Sequence, residues 1–275
     1  MEHRPQTCAQ LLFCQSFFFP LFIFVHLWLN IPVTIHLLNC FTCNARFNDW
    51  KTGTVCLLVE TNQGLALVDT GLGLGDYANP TWFTKFFRII TDMPFDPNEA
   101  AIHQVKRLGY KSEDVKHILL THMHFDHCGG LPDFPRAKVH VHRREYDAFK
   151  NQKGFLGAAY IQRNIAHNPE FILYDGTDEK WFDFNAIRIR GFDPEMYFIP
   201  MPYHSRGMSG IAIKSDSGWY FHCGDAAADF RKTNIPEWSI RLMLGPYMPR
   251  LRAFRDAHPE ITVTASHMFL DYFNR

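Results

Sequence analysis

The chain predicts an α/β fold in which two β-sheets pack together and carry helices on their outer faces. Three observations support this. Short apolar runs of strand length come in two batches, each followed by stretches of helical character. No internal repeat or low-complexity linker divides them. The composition, 47% hydrophobic and 20% charged over 275 residues, suits a folded protein with a sizeable core.

From about Ile35 to the last residue the pattern is that of one domain, 35–275. Residues 54–60 and 65–69 read as strands joined by the turn formers Asn62, Gln63 and Gly64. Asp96 followed by Pro97 is a helix start, and that helix should run to about Leu108, where Gly109 stops it. Residues 117–121 form a short apolar strand, 138–142 another, and 143–150 a helix. Further strands are expected at 186–190, 195–200, 209–214 and 218–223. A helix over 237–257, broken at Gly245-Pro246, and a closing strand at 261–265 complete the series.

Residues 1–34 differ. No Asp, Glu, Lys or Arg stands between Arg4 and Arg46, and Phe17, Phe18, Phe19, Phe22 and Phe24 cluster around Pro20. The nineteen residues 11–29 approach the length that crosses a bilayer core as a helix. Gln15, Ser16, Pro20 and His26 interrupt the run, and no small-residue cleavage site follows it. A membrane anchor, an uncleaved signal-like segment and an extension outside the functional fold all stay open, so the location is cytoplasmic or membrane-anchored. The 28 basic and 28 acidic residues balance, which gives no reason to expect a nucleic-acid partner. The seven cysteines form no dense disulfide framework, and Cys40-x-x-Cys43 lacks a second pair to complete a zinc site. Both read as ordinary thiols in or beside a strand.

The run Thr121-His122-Met123-His124-Phe125-Asp126-His127 places four metal-binding side chains within six residues. Alternate residues of a strand face the same way, so His122 and His124 can leave the strand end together. The turn that follows, loosened by Gly129 and Gly130, can bring Asp126 and His127 to a neighbouring point. One cation cannot readily use all four donors at this spacing, whereas two adjacent cations can. Imidazole nitrogen and carboxylate oxygen suit Zn²⁺, with Fe, Mn and Co left open.

With that motif the chain resembles the metallo-β-lactamase superfamily, from about Ile35 to its end. Five motifs fall in the order of that family: Val68-Asp69-Thr70-Gly71, the H-x-H-x-D-H run, His204 within Pro202-Tyr203-His204-Ser205-Arg206-Gly207, Gly224-Asp225, and His267. The resemblance implies an αββα sandwich of two mixed sheets with outer helices. It also implies a pair of divalent metal ions, Zn²⁺ first. His122, His124 and His204 would hold one, Asp126, His127 and His267 the other, and Asp225 would bridge them. Asp69 would orient a ligand, since ligating histidines need an acceptor on the other nitrogen; a turn-capping Asp before Gly71 is the alternative.

The implied chemistry is hydrolysis. Two cations about 3.5–4 Å apart lower the pKa of a shared water, and the resulting hydroxide attacks a carbonyl or phosphoryl centre. Asp126 would accept the nucleophile's proton or keep it aimed. Asp225 argues against true β-lactamases, which lack that Asp or carry Cys there. His124 argues against flavodiiron enzymes, and the eight residues after His267 leave no room for the helical domain of glyoxalase II. No basic run supports the tRNA-processing nucleases. The branch typified by N-acyl homoserine lactonases remains, with a small-molecule substrate bearing an apolar acyl part. Two aromatic stretches would cover it, one with Trp82, Phe83, Phe86, Phe87, Met93 and Phe95, the other over residues 151–184 with Phe155, Tyr160, Trp181 and Phe182. They could equally fill the core or a homodimer contact. Those lactonases place a Tyr shortly after the bridging Asp, but here the run is Asp225-Ala226-Ala227-Ala228-Asp229-Phe230. Tyr203 or another group therefore polarises the carbonyl, or the substrate differs. A phosphodiester or phosphotriester hydrolase on the same dimetal site is the runner-up. A non-catalytic scaffold is the reading from another class, opposed by the presence of all seven ligands.

Overall fold

A computed structural model describes residues 33–44, 51–154, 157–177, 179–231 and 236–274. The apolar run 11–29, with Cys8 and Cys14, lies outside them, as does Phe155. Among the described residues no helix is long and apolar enough to cross a membrane.

In the first sheet β1 (Ile35–Asn44) pairs antiparallel with β2 (Lys51–Thr61), which pairs antiparallel with β3 (Gly64–Val68). The next strands, β4 (Val115–Leu119), β5 (Lys138–His142) and β6 (Phe171–Tyr174), add on in parallel. The second sheet holds β7 (Glu179–Trp181), β8 (Phe184–Ile189), β9 (Met196–Pro200), β10 (Ser209–Ser215), β11 (Gly218–His222) and β12 (Thr262–Thr264). Its order is β12-β11-β10-β9-β8-β7, parallel only between β11 and β12. A last strand, β13 (His267–Phe269), returns to the first sheet and pairs with Thr52–Thr54 of β2. Both sheets are mixed, as expected.

The alternation along β2 explains the layering. Val55, Leu57 and Val59 point between the sheets, into a core shared with Ile187, Phe198, Ile211 and Ile213. Cys56 and Leu58 point the other way, into a second core with Leu67 and Ile118. Helix α3 (Ala101–Arg107) contributes Val105 to that outer core, and α5 (Arg143–Asn151) contributes Phe149. Each such fully buried side chain contributes roughly 1.5–3 kcal/mol over its exposed state. On the second sheet, α7 (Met248–Ala257) lays Phe254 against Phe184 and Phe221, at ring-centroid distances of 5.2 and 6.1 Å. The remaining helices, α1 (Leu74–Ala78), α2 (Trp82–Thr91), α4 (Phe125–Cys128) and α6 (Glu237–Leu244), belong to the surroundings of the site.

Two expected helices are interrupted. Asp96 does cap, accepting from the Asn98 N–H at 2.9 Å, but Ala100 at ψ 137° leaves helical geometry. The first turn is therefore a short 3-10 helix, Pro97–Glu99, and α3 starts afresh. The 237–257 helix breaks at Gly245, whose φ of +96° only glycine adopts readily. Strands β1, β6, β7 and β13 lie outside the elements expected from the sequence, and α2 is a helix where only an aromatic segment is expected. The β-branched and aromatic residues of α2 are mediocre helix formers. Thr81, accepting from the Thr84 N–H at 3.2 Å, and packing of its inner face make it helical.

A buried polar chain crosses three strands of the first sheet. His117 Nδ1 and His140 Nε2 lie 2.9 Å apart, and His140 Nδ1 lies 2.9 Å from the Tyr174 hydroxyl. Burial, reinforced by His117 and Lys138, pushes His140 down to about 3. Unfolded, it titrates near 6.5. Its folded pKa is depressed, so its contribution to stability is complete above the unfolded value and is lost as pH falls from there toward 3. The stability gap between wild type and His140→Leu should narrow by about 2 kcal/mol between pH 7 and pH 5, measured by urea unfolding at both. A gap independent of pH counts against a neutral buried His140.

Candidate metal centre

Strand β4 ends at Leu119, and the next five residues run out between the two sheets before the four-residue α4 begins. His122 and His124 project from this run with ring centroids 4.6 Å apart. Asp126 and His127 sit in α4 itself, so they are presented by a helical turn and not by a glycine-loosened loop. Gly129 and Gly130 have ordinary φ values of −59° and −80°. They are small because α4 is pressed against residues 70–76. A Cβ on Gly129 would lie 2.4 Å from Asp76 Oδ2, and one on Gly130 would lie 2.9 Å from Thr70 Cβ.

Three more strand ends deliver the other donors. His204 comes from the β9–β10 connection, Asp225 from the turn after β11, and His267 from the start of β13. The seven residues converge. His204 Nε2 stands 3.1 Å from His124 Nδ1 and 3.3 Å from Asp225 Oδ2. Asp225 Oδ1 is 3.6 Å from His127 Nε2, and Asp225 Oδ2 is 3.5 Å from His267 Nε2. Asp126 Oδ2 lies 3.7 Å from His127 Nε2 and 3.9 Å from His267 Nε2. Three groups have their donor atoms within 4.8 Å of one another: His122, His124 and His204; His122, His127 and Asp225; Asp126, His127 and His267. The middle group touches both outer ones.

The donor set fits a pair of cations. His122 Nε2, His127 Nε2 and Asp225 Oδ1 are buried without a hydrogen-bond partner. Buried polar atoms are ordinarily satisfied, and buried charges are paired or hold a metal. Among the described residues no lysine or arginine pairs with Asp69, Asp126 or Asp225; only histidines do. Burial holds His122 and His124 well below the usual histidine range, leaving neutral imidazoles with free lone pairs. Burial would depress His127 too, but Asp225, Asp126 and Asp69 overcome it and hold it well above. Positive charge is favoured at that point.

Asp69 lies behind the cluster. Its Oδ1 accepts from the Thr121 N–H at 2.8 Å, and its Oδ2 accepts from the Thr121 hydroxyl at 2.7 Å and from His127 Nδ1 at 2.9 Å. The bond to His127 turns the Nε2 lone pair toward the other donors. Asp69 adopts φ +56°, a left-handed conformation uncommon outside glycine, and these three bonds hold it there. His267 and His204 are steadied similarly, through Thr54 Oγ1 at 3.3 Å and the Met243 carbonyl at 3.0 Å.

Glu145 was not singled out from the sequence. Its side chain is fully buried and ties two loops together. Its Oε1 accepts from the Met123 N–H at 2.9 Å and the Tyr160 hydroxyl at 3.1 Å. Its Oε2 accepts from the Ser205 hydroxyl at 2.7 Å and the Gly207 N–H at 2.9 Å. The carboxylate thus links the segment bearing His122 and His124 to the loop bearing His204. Glu145 opens a helix, where an acidic residue is common, so its sequence position carried no sign of this duty.

The cluster forms one end of a cleft of about 920 Å³. Phe83, Phe87, Phe125 and Tyr160 line one side, and Ile240, Met243 and Leu244 another. The first aromatic stretch therefore reaches the cleft through Phe83 and Phe87. Of the described aromatic residues of the second, Tyr160 alone lines the cleft, its ring 4.9 Å from that of His124. Trp181 and Phe182 pack instead around Phe254, at 5.3 and 5.5 Å, so they do not cover the site. Tyr203 stands half-exposed in the lining beside His204. His222 is buried behind the site, bonded to Thr264 Oγ1 at 3.1 Å and pushed by burial down to about 4, outside the convergent groups.

Comparison with known proteins bears on the family and the fold. Residues 50–217 match the family model of the metallo-beta-lactamase superfamily, a span that stops short of Asp225 and His267. A probable metallo-hydrolase of Mycobacterium tuberculosis is 36% identical over 205 residues, covering 71% of this chain and 63% of that protein. An N-acyl homoserine lactonase of Bacillus cereus is 29% identical over 58% of each chain. The chain thus spans less than two thirds of the length of these relatives. A crystal structure of an N-acyl homoserine lactone hydrolase, with N-hexanoyl-L-homoserine at its catalytic metal centre, superposes with a TM-score of 0.62 at 19% identity. It covers 88% of this chain and 96% of that one.

If Glu145 sets the spacing of the two histidine loops, Glu145→Gln should weaken Zn²⁺ binding about 10- to 100-fold, as read by competition with a chromophoric chelator. Asp69→Asn should act in the same direction through His127. Unaltered affinity in both variants would remove the positioning role.

Proposed function

The chain belongs to the metallo-beta-lactamase superfamily, and from that premise we propose that it is a dinuclear metal-dependent hydrolase that opens lactones or cleaves esters bearing an apolar acyl group. The observation that carries the reading is the pair of three-donor groups meeting at Asp225, set in the wall of a large apolar cleft. The relatives that are N-acyl homoserine lactonases support the choice of substrate class.

In this reading His122, His124 and His204 hold one divalent cation, and Asp126, His127 and His267 the other, with Asp225 between them. Bound there, two such ions, Zn²⁺ first by donor type, supply an acidified water and Lewis-acid polarisation of the scissile carbonyl. The protein's own groups do the rest. Asp126, at the cleft surface of α4, is placed to accept the proton of the attacking water. Of the two phenols in the lining, that of Tyr160 already donates to Glu145. Tyr203 is the one left to donate to the carbonyl oxygen, and it takes the role that a Tyr after the bridging Asp has in the lactonases. Phe83, Phe87, Phe125, Ile240 and Leu244 all line the cleft and would clasp the acyl chain, excluding water from the reacting bond.

The phosphoester alternative would use the same donors. The lining disfavours it, because among the described lining residues Arg206 is the one lysine or arginine. Metal-replete protein should carry about two ions per chain and prefer an N-acyl homoserine lactone to bis-(4-nitrophenyl) phosphate in kcat/KM. Asp225→Ala and His124→Ala should each lower lactone turnover by at least about 10³-fold, and Tyr203→Phe should lower kcat by about 10-fold with KM little changed. Lactone turnover that survives both alanine substitutions, or a preference for the phosphodiester, would remove the assignment.

A further inference from the structure

Of the ten large hydrophobic side chains that stand exposed among the described residues, eight flank the mouth of the cleft. Four are on α2, three on α6, and the last is Tyr203. Trp82 is 66% exposed and Ile89 60%, while on α6 Trp238 is 70% exposed and Leu242 69%. Each helix has a second face turned to the cleft. Phe83 and Phe87 of α2 pack on Phe125 at 5.5 and 5.2 Å, and Ile240 of α6 is buried in the lining. Of the exposed groups, Tyr203, Leu242 and Met243 also line the cleft, while Trp82, Phe86, Ile89, Ile90 and Trp238 stand outside that lining on the two helices that frame it. Concentrations of this kind mark a surface that something covers.

Charge indicates what covers it. Helix α2 contains no acidic residue and presents Lys85 and Arg88 to solvent. Helix α6 presents Arg241, and its single acid, Glu237, is paired with Arg252 of α7 at 3.0 Å. Exposed Trp, Phe, Ile and Leu edged by Lys85, Arg88 and Arg241, none of them in an ion pair among the described residues, are the make-up of helices that lie in a membrane interface, apolar face down, with basic groups at the lipid phosphates. A protein seated across both helices would close the cleft between them. A fluid lipid leaflet covers the same faces and leaves the entrance open to apolar molecules dissolved in it.

We infer that α2 and α6 form an interfacial lipid-binding face, which docks the cleft mouth on an anionic membrane surface. Binding itself is independent of the hydrolase reading. Resting on that reading, the face would select acyl substrates that partition into lipid.

The test uses the full chain and phosphatidylcholine vesicles with or without phosphatidylglycerol. Residues 11–29 are present in every variant, so differences report on the two helices. Ile89→Asp/Trp238→Asp, both at exposed positions and checked for folding by circular dichroism, should reduce co-sedimentation with the anionic vesicles at least about 10-fold. Trp82→Phe/Trp238→Phe should still bind but lose most of the tryptophan quenching by brominated lipid. Equal vesicle binding by the aspartate variant, or quenching unchanged in the phenylalanine variant, overturns the inference. So does a dimer that the aspartate pair dissociates while vesicle binding stays the same, since the face would then be a contact between copies. Unaltered protein that binds the anionic vesicles but turns over no lactone would count against the hydrolase reading and leave this one standing.

Discussion

Three buried carboxylates that no lysine or arginine among the described residues pairs with are the constraint on which the rest of this structure depends. Among the described residues the only ion-pair partners of Asp69, Asp126 and Asp225 are His127, His204 and His267, while burial holds the adjacent His122 and His124 well below the usual histidine range. Removing such charges from water costs several kcal/mol each unless opposite charge or strong hydrogen bonds offset it. Asp69 is satisfied by Thr121 and His127. For Asp126 and Asp225 the nearest partners are imidazoles at 3.3 to 3.9 Å. A pair of cations completes that arrangement in the simplest way.

The sandwich brings these groups together because its loops gather at one end of both sheets. Donors separated by more than a hundred residues become neighbours when β3, β4, β9, β11 and β12 end beside one another. Strand β13 then carries His267 back to β2, linking the end of the chain to the first sheet. Fine positioning falls to groups that are not donors in this reading. Asp69 sets the ring of His127, and Glu145 ties the His124 segment to the His204 loop. The cleft walls come from α2 and α6, outside the two cores, and these helices show solvent the apolar faces that the sheets do not need.

Much of the architecture could be read from residues alone. The strands at 54–60 and 209–214 announced themselves by largely apolar runs, 138–142 by its alternating Val139 and Val141, and the break at Gly245 by glycine followed by proline. The four candidate donors of the H-x-H-x-D-H run could be named from residue chemistry, whereas His204, Asp225 and His267 came through the family resemblance, and the fold brings all seven together. What escaped was written in tertiary contact. β1 lacks a boundary signal, merging with the apolar stretch before it, and α2 is helical through its cap and packing against intrinsic preference. Trp181 and Tyr160 lie in one aromatic stretch, yet only Tyr160 reaches the cleft, since β7 takes Trp181 into the core of the second sheet. Gly129 and Gly130 looked like hinge residues and are small because backbone passes close by. Glu145 was invisible because nothing in a helix's first turn distinguishes a surface acid from a buried tie.

Anomalous diffraction from crystals grown with Zn²⁺ tests the central claim most directly. The expected result is two peaks about 3.5–4 Å apart, one among His122, His124 and His204, the other among Asp126, His127 and His267, with Asp225 touching both. A single peak, or peaks away from these seven side chains, would contradict it.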